Sequence, residues 1–168
     1  EWRYVFRNVL PSLPLYLAVS AFDYGAPAAG LPGLESNRLD ALVEALAQEP
    51  TSQEQPLDVV VYPNPYRVEG NYRALGFEGR GEERRTDERV RAVHFTNLPP
   101  VCDIKIYSLD GDMIRQIIHD KAPDDPSAMH DSWDVISRNL QVPVSGIYYW
   151  VVTTPEGLSQ IGKLVLIM

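Results

Sequence analysis

The sequence predicts an all-β protein: an antiparallel β-sandwich over the last two thirds of the chain, preceded by a β-hairpin and a short amphipathic helix. Three observations predict this class. Short runs of β-branched and aromatic residues recur from Leu57 onward, turn-forming residues separate them, and a helical spacing of apolar residues is found before residue 50 but not among those runs.

The first two regions are 1–36 and 37–56. Residues 1–36 hold two apolar runs, WRYVFRNVL and PLYLAVSAFDYG, which predict the two strands of a hairpin. In 37–56, Asn37 is a candidate N-cap, and TSQEQP at the end reads as a linker. The apolar residues between them stand at i, i+3, i+4 and i+7: Leu39, Leu42, Val43 and Leu46. This spacing predicts a helix of about three turns.

The third region, 57–168, begins with VVVYPNPYR. Because proline has no N–H, Pro63 and Pro65 must end the pairing of this strand on one side. Glycine-containing turns at 109–112 and 154–157 predict hairpins. Six strands are expected: 57–62, 90–97, 102–109, 113–119, 145–154 and 160–167. The predicted core residues are Val93, Phe95, Ile104, Ile106, Ile117, Trp133 and Leu164.

Six motifs occur in order over 57–168: VVVYPNPYR, AVHFTNLP, CDIKIYSLDGDMIRQI, WDVISRN, VSGIYYWVV and IGKLVLIM. Together they resemble the C-terminal sorting domain of bacterial type IX secretion substrates, and they are similar to the Ig-like fold of flagellar hook-capping proteins. The resemblance implies an Ig-like sandwich. A charged insert between Arg67 and Arg89 departs from the family pattern. PLYLAVSAFDYGAP resembles the last strand of a fibronectin type III-like domain, which implies that 1–36 are the terminal strands of one.

Composition excludes several classes of partner. The net charge of −8 argues against nucleic acid and anionic membrane, and no apolar run is long enough to span a membrane. The segment EGRGEERRTDERVR carries as many acids as arginines and reads as a solvated mixed-charge loop. The chain begins at Glu1 in mid-pattern, so we expect it to be part of a longer polypeptide.

No sequence pattern of an enzyme is present. The chain lacks G-x-S-x-G, a phosphate-binding glycine loop and H-E-x-x-H, so we expect no catalysis and no cofactor. Cys102 reads as a small buried side chain. The loop HDKAPDDPSAMHD is either a solvated acidic loop or a cation site, with Asp124, Asp125 and His130 as candidate ligands; its spacing matches no known metal loop, which favours the first reading.

Contacts with another protein are the remaining functional signal. In GIYYWVV both faces of the strand are apolar, so something is expected to cover one of them. The two N-terminal strands have no sandwich of their own, so we expect them to pack on 57–168 or to join a sheet elsewhere. The candidate contact residues are Tyr148, Trp150, Lys163, Phe6 and Phe22.

The resemblance therefore implies a non-catalytic module of a large secreted or cell-surface bacterial protein. It would act in export targeting and surface attachment, at the outer surface or outside the cell, through contacts with outer-membrane export or attachment machinery. Two alternatives stay open. One is a structural subunit of an extracellular fibre or surface assembly built by β-strand complementation with neighbouring subunits; the other is a carbohydrate-binding appendage.

Overall fold

A computed structural model describes residues 4–6, 15–45, 56–79, 85–123, 125 and 127–168. The chain divides into two compact units, Glu1–Ala47 and Gln48–Met168.

The first unit contains one irregular antiparallel hairpin over 15–45. Strand β1 (Leu15–Leu17) pairs with β2 (Val43–Ala45), and single bridges join Phe22 to Glu35 and Ala26 to Leu31. A 3-10 turn forms the tip, where Gly30 takes a φ of 70° that a side chain would disfavour. The second apolar run thus pairs with residues after it. Of the first run only 4–6 lie in the described residues, and they form no strand.

The prediction of an α-helix within 37–56 is wrong for the described residues, which form a 3-10 turn and a strand. Asn37 does act as a cap, since its side chain accepts a hydrogen bond from the Leu39 N–H at 3.1 Å. The turn that follows is a 3-10 helix, Arg38–Ala41, and β2 begins two residues later. Pairing with β1 therefore overrides the helical spacing. Residues 46–48 lie outside the described part of the chain.

The second unit is an antiparallel β-sandwich of eight strands. They are β3 (Val60–Tyr62), β4 (Tyr66–Arg67), β5 (Val93–Thr96), β6 (Val101–Ser108), β7 (Met113–Asp120), β8 (His130–Trp133), β9 (Gly146–Thr153) and β10 (Ser159–Ile167). One sheet has the order β4-β10-β9-β6-β7 and the other β3-β5-β8. All pairs are antiparallel except β4 with β10. The six predicted strands are present, with ends that differ by up to three residues; β4 and β8 were not predicted.

The core lies between the two sheets. The predicted core residues are confirmed: six are fully buried, and Ile117 is partly buried against the same cluster. Trp133 donates a hydrogen bond from its indole N–H to the Ile136 carbonyl at 2.8 Å, which satisfies its one polar atom. Cys102 is buried as expected, and that burial raises the pKa of its thiol to about 12.

The prolines of VVVYPNPYR mark the point where the chain changes sheets, from β3 to β4. Both X-Pro bonds are cis. Between the prolines, the Asn64 side chain donates to the Lys163 carbonyl at 2.8 Å and accepts from the Val165 N–H at 3.2 Å. An amide side chain thus continues the pairing of β10 just before β4 begins.

Candidate protein-docking surface

The β9–β10 hairpin has one face in the core and one face outside. Side chains alternate along a strand, so burial of Tyr148 and Trp150 places the intervening residues outside. The cross-strand register places Ile161 opposite Val151, Lys163 opposite Tyr149 and Val165 opposite Ile147. We name this outward set the outer band: Ile147, Tyr149, Val151, Ile161, Lys163, Val165 and Ile167.

The outer band is unusually apolar for the outside of a sandwich. Ile161, Ile147 and Ile167 are 68%, 45% and 42% exposed. An antiparallel sheet with one wet face ordinarily carries polar residues there, and an exposed contiguous apolar patch marks an interaction site. Lys163 is exposed near its centre, and within the described chain it has no ion-pair partner. The band therefore offers apolar surface, aliphatic and aromatic, around Lys163.

Tyr148 and Trp150 are not part of this surface, which corrects their assignment as contact candidates. Both are buried; Tyr148 donates its hydroxyl to the Val144 carbonyl at 2.8 Å, and burial raises its pKa. The Trp150 ring meets Phe95 of the opposite sheet edge to face, with centroids 6.1 Å apart. With both faces of GIYYWVV apolar, the sequence did not distinguish inside from outside.

The other contact candidates are exposed. Lys163 lies in the outer band, where it also accepts the Asn64 bond at its carbonyl. Phe6 and Phe22 are exposed residues of the first unit, each with an edge-on aromatic neighbour, Tyr4 and Tyr24 respectively. Among the described ring contacts, Phe6 meets only Tyr4 and Phe22 meets only Tyr24.

One end of the sandwich contains all three histidines. His119 is buried; its Nδ1 lies 3.0 Å from an Asp131 carboxylate oxygen and its Nε2 lies 2.9 Å from the Ala128 carbonyl. Burial acts to raise the pKa of Asp131, but hydrogen bonds from His119 and from the Ser132 N–H outweigh it and lower the pKa. His94 Nδ1 lies 3.0 Å from His130 Nε2. These rings tie strands together, which is a structural role.

The candidate cation ligands do not converge in the described residues. Asp125 accepts hydrogen bonds at 2.7 Å from both the N–H and the hydroxyl of Ser127, which lowers its pKa and makes it part of a turn. His130 faces His94. Asp124 lies outside the described residues. Across the described ranges, no three metal-ligating side chains come together.

The segment EGRGEERRTDERVR is not solvated along its whole length, which corrects the expectation of a solvated loop at its first residue, Glu78. Glu78 is buried; one carboxylate oxygen accepts from the Tyr66 hydroxyl at 2.8 Å and from the Ala92 N–H at 3.2 Å. Burial and this carboxylate raise the pKa of Tyr66. No signal in the sequence singled out Glu78 from its charged neighbours.

Among the described residues there is no helix long and apolar enough to cross a membrane.

The chain has low similarity to two solved structures. No family model matches it and no curated protein matches it. A solved structure of PorZ, titled an essential bacterial surface component of the type IX secretion system of Porphyromonas gingivalis, is 20% identical with a TM-score of 0.49, over 77% of this chain and 14% of that one. Dimeric latent PorU from the same organism is 16% identical with a TM-score of 0.41, over 82% of this chain and 11% of that one. The chain thus spans only a small part of either protein, and at these TM-scores neither likeness establishes the fold.

Proposed function

We propose that the chain is a non-catalytic recognition module of a larger secreted or cell-surface bacterial protein. It acts in type IX export targeting and surface attachment by contacting outer-membrane export or attachment machinery. The ordered motifs of 57–168 support the route, and the antiparallel sandwich has the fold that the same motifs imply. The observation that carries the proposal is the outer band.

The outer band explains how such a module is recognised. Full burial of a large aliphatic side chain contributes roughly 1.5–3 kcal/mol, so covering Ile147, Ile161 and Ile167 favours docking. Lys163 adds selectivity. An ammonium group buried without a partner is costly, so a matching surface must supply a carboxylate or other acceptor opposite it. Two copies meeting face to face would bring their own lysines close together, which disfavours self-association through the band.

A reporter export assay tests the proposal. The 168-residue chain is fused to the C-terminus of a secreted reporter in a bacterium with a type IX system, and surface reporter is quantified. We expect Ile161→Lys to reduce surface display by about tenfold or more, as charge placed in an apolar contact does. Leu109→Lys, at an exposed hairpin turn outside the band, is the matched control and should export normally.

Two results would contradict the proposal. If the wild-type fusion is retained in the periplasm, the chain does not direct export. If the wild-type fusion is exported and Ile161→Lys is displayed normally, the outer band is not the recognised surface.

A further inference from the structure

The sandwich holds some main-chain groups in or beside three of its edge strands. Next to β3, the Gln160 side chain accepts from the Val59 N–H at 2.7 Å and donates to the Val59 carbonyl at 3.1 Å. Next to β4, the Arg67 N–H donates to the Tyr72 hydroxyl at 3.2 Å, and that hydroxyl donates to the Pro65 carbonyl at 3.3 Å. Such contacts occupy main-chain groups with which another strand could pair.

On strand β8 the outward N–H groups are held. The Met129 carbonyl accepts from the Leu98 N–H, which shows that odd residues here face β5 and even residues face outward. The outward N–H of His130 donates to the Ser127 carbonyl at 3.0 Å. The outward N–H of Ser132 donates to an Asp131 carboxylate oxygen at 2.7 Å.

Strand β7 differs. The Lys121 N–H donates to the Pro100 carbonyl at 2.9 Å, so odd residues face β6 and the main chains of Gln116, Ile118 and Asp120 point outward. Nearer the start of β7, the Arg138 N–H donates a hydrogen bond to the outward carbonyl of Ile114 at 2.7 Å. In the described part of the chain, no hydrogen bond reaches the outward main chain of those three residues. The Ile118 side chain is 77% exposed.

We propose that β7 is an association edge, and that its occupant is β7 of a second copy of this chain, paired antiparallel. A row of unpaired N–H and C=O groups is matched by another strand with an open edge. The same chain provides such an edge in β7. A two-fold register that places Gln116 opposite Ile118 of the partner copy brings together Gln116, Ile117 and Ile118, none of which is charged, so like charges do not oppose each other there.

The symmetry of this contact limits the assembly. A two-fold edge pair uses the same strand on both copies and closes at a dimer. Because each copy uses its β7 edge in the pair, this contact leaves no β7 edge for a third copy and forms no fibre. Each copy carries a net charge of −8, so repulsion weakens the pair at low salt and screening strengthens it.

Sedimentation equilibrium of the 168-residue chain, over a wide concentration series at low and moderate salt, tests the proposal. We expect a monomer–dimer equilibrium that tightens with salt. Ile118→Lys should raise the dissociation constant by about tenfold or more, because lysine on an edge strand blocks pairing. Val144→Lys is the matched control: Val144 is 76% exposed but lies outside β7 and the outer band, and this variant should dimerise as wild type does.

Hydrogen exchange gives a second readout that needs no variant. The amides of Gln116 and Ile118 should become protected as concentration rises, while those of other exposed loops do not. A chain that is monomeric throughout the series overturns the proposal. So does a dimer that Ile161→Lys dissociates and Ile118→Lys leaves intact, because that dimer would use the outer band.

Discussion

At the scale of single residues, Gly162 shows why the terminal strand carries a glycine in its G-K motif. A Cβ built there would lie 2.1 Å from Cζ2 of the buried Trp150 ring, which is the cross-strand partner of Gly162. The indole cannot move without disturbing its contact with Phe95. We expect Gly162→Ala to lower the free energy of unfolding by about 1–3 kcal/mol, as overpacking of a core does.

Urea denaturation measures this change, and Gly146→Ala is the matched control. A Cβ at Gly146 meets only a Tyr148 ring atom at 3.9 Å, an ordinary contact, so that variant should stay within about 0.5 kcal/mol of wild type. Equal stability of the two variants would show that Trp150 adjusts freely and that the close approach is not a constraint.

The ionised carboxylate of Asp131 stabilises the fold, and this contribution is lost at acid pH. Its pKa is lowered because the hydrogen bonds from His119 and Ser132 outweigh the effect of burial. A carboxyl group with a lowered folded pKa stabilises the fold above its unfolded pKa of about 3.9, and that contribution is lost as pH falls through the folded value. Asp131→Asn should therefore cost about 1–3 kcal/mol near neutral pH, with the difference from wild type shrinking below about pH 4.

Urea denaturation across a pH series checks this expectation. Asp110→Asn, in the exposed turn before β7, is the control and should follow wild type at every pH. A difference between Asp131→Asn and wild type that does not change with pH would mean that the loss comes from packing and not from the carboxylate.

At the scale of elements, the sequence predicted strands well where alternation and turns agree. Strands β6, β7, β9 and β10 lie within one residue of the expected bounds. Strand β8, with the sequence HDSW, was missed because it is short and polar, and because pairing with β5 rather than its own pattern makes it a strand. The helix expected within 37–56 failed for the same reason, since strand pairing overrode a local preference.

The docking surface was only partly predictable. Lys163 was singled out, but the residues around it were not, because the choice of face depends on register. Both faces of β9 read as apolar, and only the opposite sheet decides that Trp150 packs on Phe95 while Tyr149 faces outward. The Asn64 contact with β10 is similarly invisible in sequence, since its partners lie about a hundred residues away.

At the scale of the whole molecule, stability should reside in the second unit. Every member of the buried cluster lies at or beyond residue 57. Residues 15–45 instead expose large apolar side chains, among them Tyr16, Val19, Phe22 and Leu34. A two-stranded hairpin is marginal by itself in water. We therefore expect a shortened chain, 56–168, to unfold in one cooperative transition within about 0.5 kcal/mol of the full chain.

Urea denaturation of the two chains, with hydrogen exchange on the full chain, checks this prediction. Fast exchange over 15–45, in a monomer whose sandwich amides stay protected, would mean that the hairpin needs strands from elsewhere, as the terminal strands of a fibronectin type III-like domain would. A clear loss of stability in the shortened chain would contradict the prediction. In that case the apolar side chains of 15–45 are buried within this chain, as the expectation that they pack on 57–168 requires.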